Sequence, residues 1–117
     1  MDGGEAWIVD AGGCDPQRLR SPGALGALFE TLVADLRLKP LAPPAWHEFP
    51  EPGGITGFLL LGESHLACHT FPETGFAALD LYCCRRLPDP RWEERLREHL
   101  GARWVAVRRL ARGERSR

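Results

Sequence analysis

Between Ile55 and Cys84 the chain carries three strand-length segments, 55–61, 64–71 and 76–84, separated only by Gly62-Glu63 and by Pro72-Glu73-Thr74-Gly75. Apolar and aromatic runs broken by such turn residues read as successive strands of one sheet. The rest of the chain has to fold onto that sheet. A further strand is expected at 5–10, where Trp7 and Val9 share a face, and a last one at 103–110. A short strand is expected at Trp46-His47-Glu48-Phe49, in a stretch punctuated by Pro40, Pro43, Pro44, Pro50 and Pro52.

Two segments read as helices. Ser21-Pro22 is a helix start, since Ser caps and Pro suits the first turn. Leu25, Leu28, Phe29, Leu32, Val33 and Leu36 then follow at helical spacing, and Pro40 lies beyond the end. The second helix is expected to start at Asp89-Pro90, with Trp92, Leu96 and Leu100 on one face and Gly101 as its terminator. The order β-α-β-β-β-α-β predicts a single α+β domain over 1–117, a two-layer α/β sandwich whose antiparallel sheet carries two helices on one face. Strands 55–61 and 76–84 are apolar on both faces, so a partner subunit is expected over the other side of the sheet.

A net charge of −1 offers no bulk attraction for nucleic acid or an anionic membrane. The late arginines, Arg85-Arg86 and those from Arg108 to Arg117, read as solvated surface and a frayed tail over 111–117, because no aromatic interleaving accompanies them. No apolar run approaches the ~20 residues of a membrane helix. The first residues lack a basic and an apolar signal region, so a cytoplasmic location is expected. In that reducing compartment Cys14, Cys68, Cys83 and Cys84 read as thiols.

Reactive side chains crowd into 62–84, and the residues alone leave three readings open. His65, His69 and the nearby thiols suggest a metal site, although no C-x-x-C or H-E-x-x-H spacing is present. Ser64 with His65 or His69, or Cys84 with His69, suggests a conventional nucleophile, although Gly62-Glu63-Ser64-His65-Leu66 lacks the second glycine of a nucleophile elbow. The third reading is attack by Ser64 on its own backbone, at the Glu63 carbonyl, followed by β-elimination that leaves a pyruvoyl group.

The run Gly-Glu-Ser-His-Leu-Ala-Cys-His-Thr-Phe-Pro-Glu-Thr-Gly-Phe-Ala-Ala-Leu-Asp-Leu-Tyr-Cys-Cys over 62–84 resembles the signature of the prokaryotic-type S-adenosylmethionine decarboxylase proenzymes. Gly54-Ile55-Thr56-Gly57 and His47-Glu48-Phe49 also fit that pattern. The resemblance is dense over 46–84 and loose elsewhere. It implies a self-cleaving, pyruvoyl-dependent enzyme that decarboxylates S-adenosylmethionine through a Schiff base, for spermidine biosynthesis. Cleavage between Glu63 and Ser64 gives a β chain of 1–63 and an α chain of 64–117, with Ser64 becoming the pyruvoyl group. By position, His69 matches the processing base, Thr56 a hydroxyl that assists it, and Cys84 the acid that reprotonates the product. Glu73 and Phe49 match substrate-contact positions, Phe49 by stacking on adenine. No metal is implied, and a homodimer of cleaved units is. Some relatives act on arginine or ornithine instead, and a non-enzymatic regulatory homologue is a further alternative.

Overall fold

The computed structural model describes Gly3 to Gly113; Glu114 to Arg117, part of the tail read as frayed, lie outside the described residues. The elements are β1 (Glu5–Gly12), α1 (Pro16–Leu19), α2 (Pro22–Leu36), β2 (Ala45–Glu48), β3 (Ile55–Leu60), β4 (Ser64–Phe71), β5 (Phe76–Cys83), α3 (Trp92–Leu100) and β6 (Trp104–Ala111). The strands form one antiparallel sheet in the order β2-β3-β4-β5-β1-β6. The expected α+β sandwich is what forms, with the helices of the described residues on one side of the sheet.

Alternation along each strand decides which side chains meet the helices. Leu66, Cys68 and Thr70 of β4, Ala77, Leu79 and Leu81 of β5, Ile55 and Leu59 of β3, and Trp7, Val9 and Ala11 of β1 are all buried. They pack with Leu25, Leu28, Phe29, Leu32 and Leu36 of α2 and with Trp92, Leu96 and Leu100 of α3 into one core. Gly57 of β3 is required by this packing, because a Cβ there would fall 2.2 Å from the Trp46 indole. That indole lies against Phe29, with ring centroids 5.0 Å apart.

Among the described residues, the opposite sheet face carries no helix. It presents Phe58, Leu60 and Leu110, between 42% and 49% exposed, together with His65 stacked between Phe58 and Tyr82. Phe58 and Leu60 lie on β3 and Leu110 on β6, with β4, β5 and β1 between them.

The helix ends differ in how legible they are. Ser21 caps α2 as its sequence implies, its hydroxyl accepting from the Ala24 N–H at 3.0 Å. The second expected helix starts later than Asp89-Pro90. Its first helical residue is Trp92, preceded by Arg91 with a left-handed backbone at φ 50°, and Asp89 accepts the Arg91 N–H outside the helix. Two prolines, Pro88 and Pro90, hold the residues before them extended and delay the first turn. Gly101 ends α3 at φ 68°, as expected. The one-turn α1 is an addition, capped by Asp15, whose carboxylate accepts the Gln17 N–H at 2.9 Å. Among the described residues no helix is long and apolar enough to cross a membrane.

Candidate active site

The chemistry-bearing residues of 62–84 fall into two clusters at opposite ends of β4. Antiparallel pairing explains the division. Across β4 and β5, Ser64 pairs with Cys83 and His69 pairs with Ala78. Cys84, twenty residues after Ser64 (84 − 64 = 20), is therefore returned to its side. His69, only five residues on (69 − 64 = 5), is carried about 16 Å away by the strand's rise of about 3.3 Å per residue.

The first cluster surrounds the β3–β4 turn. Its tip, Gly62-Glu63, is exposed, and Leu61 N–H donates to the Ser64 carbonyl at 3.0 Å, which closes the hairpin. Gly62 N–H donates to the Lys39 carbonyl at 3.2 Å and ties the turn to the segment after α2. A recess of about 170 Å³ is lined here by Lys39, Glu63, Ser64, Cys83, Cys84 and Arg85. Cys83 is buried, whereas Cys84, just past the end of β5, is half-buried, so successive residues take opposite orientations as expected. The Cys84 thiol donates to Glu63 Oε2 at 2.6 Å. This hydrogen bond to a carboxylate, followed by partial desolvation and the negative charge of Glu63, raises the Cys84 pKa above 9.0. The group is a thiol, not a thiolate, at neutral pH, which suits an acid and not a nucleophile.

The second cluster lies on the open sheet face near the Pro72 turn. Thr56 of β3 sits opposite His69 of β4, and Thr56 Oγ1 and His69 Nδ1 are hydrogen-bonded at 3.2 Å. A recess of about 470 Å³ is lined by these two with Phe49, Phe71 and Glu73, among others. Phe49 is 50% exposed and His47 meets it edge-on, with ring centroids 4.5 Å apart. Gly75, at φ 68°, gives the turn the left-handed residue it needs and places Glu73 at the rim.

The structure thus brings Glu63, Ser64 and Cys84 together, and separately Phe49, Thr56, His69 and Glu73. It does not bring Ser64 or Cys84 to His69 within one chain, which removes an intrachain Ser64–His69 or Cys84–His69 dyad. His65 and His69 share a strand face but stand about 13 Å apart by strand rise, too far to share an ion. Among the described residues no group of three or more His, Cys, Asp or Glu could hold a metal ion. His47, given above no role of its own, and Phe71 join the second cluster. For Phe71 the signal was available, since it shares His69's parity on β4.

Thr70 is a further residue the sequence did not single out. Its hydroxyl donates to the Leu19 carbonyl at 2.7 Å and accepts the Ile55 N–H at 2.9 Å. It joins β4, β3 and α1 directly behind the Thr56–His69 pair.

The family model described as S-adenosylmethionine decarboxylase matches residues 5–113. A protein of Pyrococcus furiosus named S-adenosylmethionine decarboxylase proenzyme is 33% identical over 113 residues, covering 94% of this chain and 78% of that one. A protein of the same name from Symbiobacterium thermophilum is 51% identical over 63 residues, covering 53% of this chain and 48% of its own. The crystal structure of the adenosylmethionine decarboxylase of Aquifex aeolicus matches the fold with a TM-score of 0.79 at 24% identity, over 99% of this chain and 96% of that one.

Proposed function

The chain belongs to the S-adenosylmethionine decarboxylase family, and from that premise we propose that it is a self-processing, pyruvoyl-dependent decarboxylase of S-adenosylmethionine that serves spermidine synthesis in the cytoplasm. The observation that carries this reading is the shared recess of Ser64 and Cys84, where a hydroxyl at an exposed turn stands beside a thiol kept protonated.

Ser64 Oγ attacks the Glu63 carbonyl carbon, the peptide C–N bond breaks, and the Glu63 acyl group passes to oxygen as an ester. A base then removes the Ser64 α-proton, and the ester C–O bond breaks with Glu63 leaving as a carboxylate. The remaining dehydroalanine takes up water, releases ammonia and becomes the pyruvoyl group. The products are 1–63 and 64–117, the second of 54 residues (117 − 63 = 54). The surroundings suit such a group: Ser64 opens a strand at a solvent-reached turn, and no side chain lies within 4 Å of a Cβ built on Gly62. A pyruvoyl carbonyl supplies the electron sink that decarboxylation of an amino acid needs.

His69 is the processing base, and Thr56 orients its ring through Nδ1. Since the chain's own His69 is about 16 Å from Ser64 along β4, the base comes from a second copy. A two-fold axis near the middle of β4 exchanges the strand's ends, so two sheets packed by their open faces set the Ser64 end of one against the His69 end of the other. The apolar Phe58, Leu60 and Leu110 supply that contact. Small residues, Ala67 and Ala78, occupy the centre of the face. The larger recess, with Phe49 to stack on adenine and Glu73 to accept from ribose hydroxyls, holds the nucleoside end of the substrate. Cys84 delivers the proton to the carbon that has lost carbon dioxide. No nucleic acid, membrane or metal takes part.

The test is release of carbon dioxide from S-adenosylmethionine, arginine and ornithine by the processed protein. Release from the first alone is expected. Release only from arginine or ornithine reassigns the substrate, and none from any of the three points to a non-enzymatic homologue.

A further inference from the structure

The resemblance assigns Glu63 one task, to provide the main-chain carbonyl at which the chain is cut. Its side chain is not needed for that task. Yet the carboxylate folds back from the turn and accepts the Cys84 thiol at 2.6 Å, across twenty-one residues of sequence (84 − 63 = 21). The other charged groups of the recess are cations, Lys39 from the segment after α2 and Arg85 after β5. Arg85 donates to the Arg37 carbonyl at 2.6 Å and so neutralises the end of α2. Cys83, the adjacent thiol, is buried. Glu63 is thus the acidic side chain among the residues lining the recess.

We propose that the Glu63 side chain is a positioning residue for the catalytic acid, its carboxylate fixing the Cys84 thiol beside Ser64 and keeping its sulfur neutral until a substrate carbanion forms. This rests on the decarboxylase reading above. An S–H that donates to a carboxylate loses that bond on ionising, and the thiolate then faces a like charge. Two consequences follow. In the uncut chain, a neutral thiol does not compete with Ser64 Oγ for the Glu63 carbonyl, although both stand in the same recess. In the processed enzyme, the S–H turns about Cβ–Sγ and gives its proton to the substrate carbon, leaving a thiolate. The carboxylate beside it makes that thiolate more basic, so it takes a proton back from water and the acid is restored. Cleavage strengthens this arrangement. Glu63 becomes a chain terminus with a second carboxylate on the same residue, so cutting the bond that yields the electrophile also adds negative charge beside the acid.

The experiment follows the thiol itself. In the uncleavable Ser64→Ala chain with Cys83→Ser, the rate of iodoacetamide alkylation at Cys84 is measured against pH, with the site located by mass. Cys14 and Cys68 are buried, their thiols pushed up to about 11 and about 12, and do not interfere near pH 9. Adding Glu63→Gln, which keeps an accepting oxygen and removes the charge, is expected to move the alkylation midpoint to lower pH. In the processed enzyme the same substitution moves the alkaline limb of the kcat profile the same way. A general loss of turnover with the limb in place is the mark of a merely structural role and counts against the proposal. A midpoint unmoved by Glu63→Gln overturns it without reference to decarboxylation. A moved midpoint in a chain that releases no carbon dioxide upholds the thiol–carboxylate pair and removes the decarboxylase reading instead.

Discussion

Two inactive copies should restore each other. Ser64→Ala removes the proposed nucleophile and keeps His69, whereas His69→Ala keeps that nucleophile and removes the proposed base. Each variant alone is expected to stay a single chain of 117 residues. Ser64 and His69 lie five residues apart on one strand (69 − 64 = 5), and at about 3.3 Å per residue their backbones are about 16 Å apart. A general base has to come within about 3 Å of the proton it takes. Side chains on a rigid strand cannot close that gap, so a His69 that serves as the processing base has to act from a second copy. Co-expressed in equal amounts and paired at random, about half of the dimers are mixed, and each mixed dimer holds one complete site. About half of the His69→Ala chains should then be cut, and none of the Ser64→Ala chains. Mass tags of different length on the two variants, read by denaturing mass spectrometry, give both fractions. Cleavage of His69→Ala expressed by itself would rule out His69 as the processing base. So would mixed dimers, verified by native mass, in which neither chain is cut.

Three further outcomes follow. Cys84→Ala should still be cleaved but lose decarboxylation by roughly 10²–10⁴-fold, the usual worth of a positioned acid; near-normal single-turnover rates would reject its role. Thr70→Val should leave the Leu19 carbonyl and Ile55 N–H unpaired in the core, costing about 1–3 kcal/mol, seen as a lower urea midpoint with an unchanged slope. Burial pushes the Cys68 thiol from 9.0 up to about 12, so the folded chain keeps a proton that the unfolded chain loses above pH 9. Stability from this group is intact below pH 9 and is lost as pH rises towards 12, at up to about 1.4 kcal/mol per pH unit. Cys68→Ala should flatten that alkaline decline in urea titrations, and an unchanged slope would contradict the assignment.

Most of the architecture was legible because it rests on periodicity. The α2 stripe from Leu25 to Leu36 and the run of strands from Ile55 to Cys83 are strong patterns, and Ser21 and Gly101 mark ends by their own chemistry. The start of α3 was not, because Asp89-Pro90 has the composition of a cap while Pro88 and Pro90 restrain the residues before them and Arg91 takes a left-handed backbone, so the first helical residue is Trp92. Thr70 carries no signal in the sequence, because a strand threonine is ordinary until Leu19 and Ile55 converge on it. The candidate residues could be named from the sequence, but their division into two clusters could not. Ser64, His69 and Cys84 look like one group when read along the chain. Extension carries His69 away from Ser64, and the Pro72–Gly75 turn carries Cys84 back. Only the register of β4 against β5 shows that the nearer residue in sequence is the farther one in space.

Self-cleavage between Glu63 and Ser64 is read from the mass of the freshly purified, denatured protein. Two fragments of 63 and 54 residues are expected, the second beginning with a pyruvoyl group in place of Ser64, and Ser64→Ala should give none. A single folded species of 117 residues in the unsubstituted protein would rule out self-cleavage.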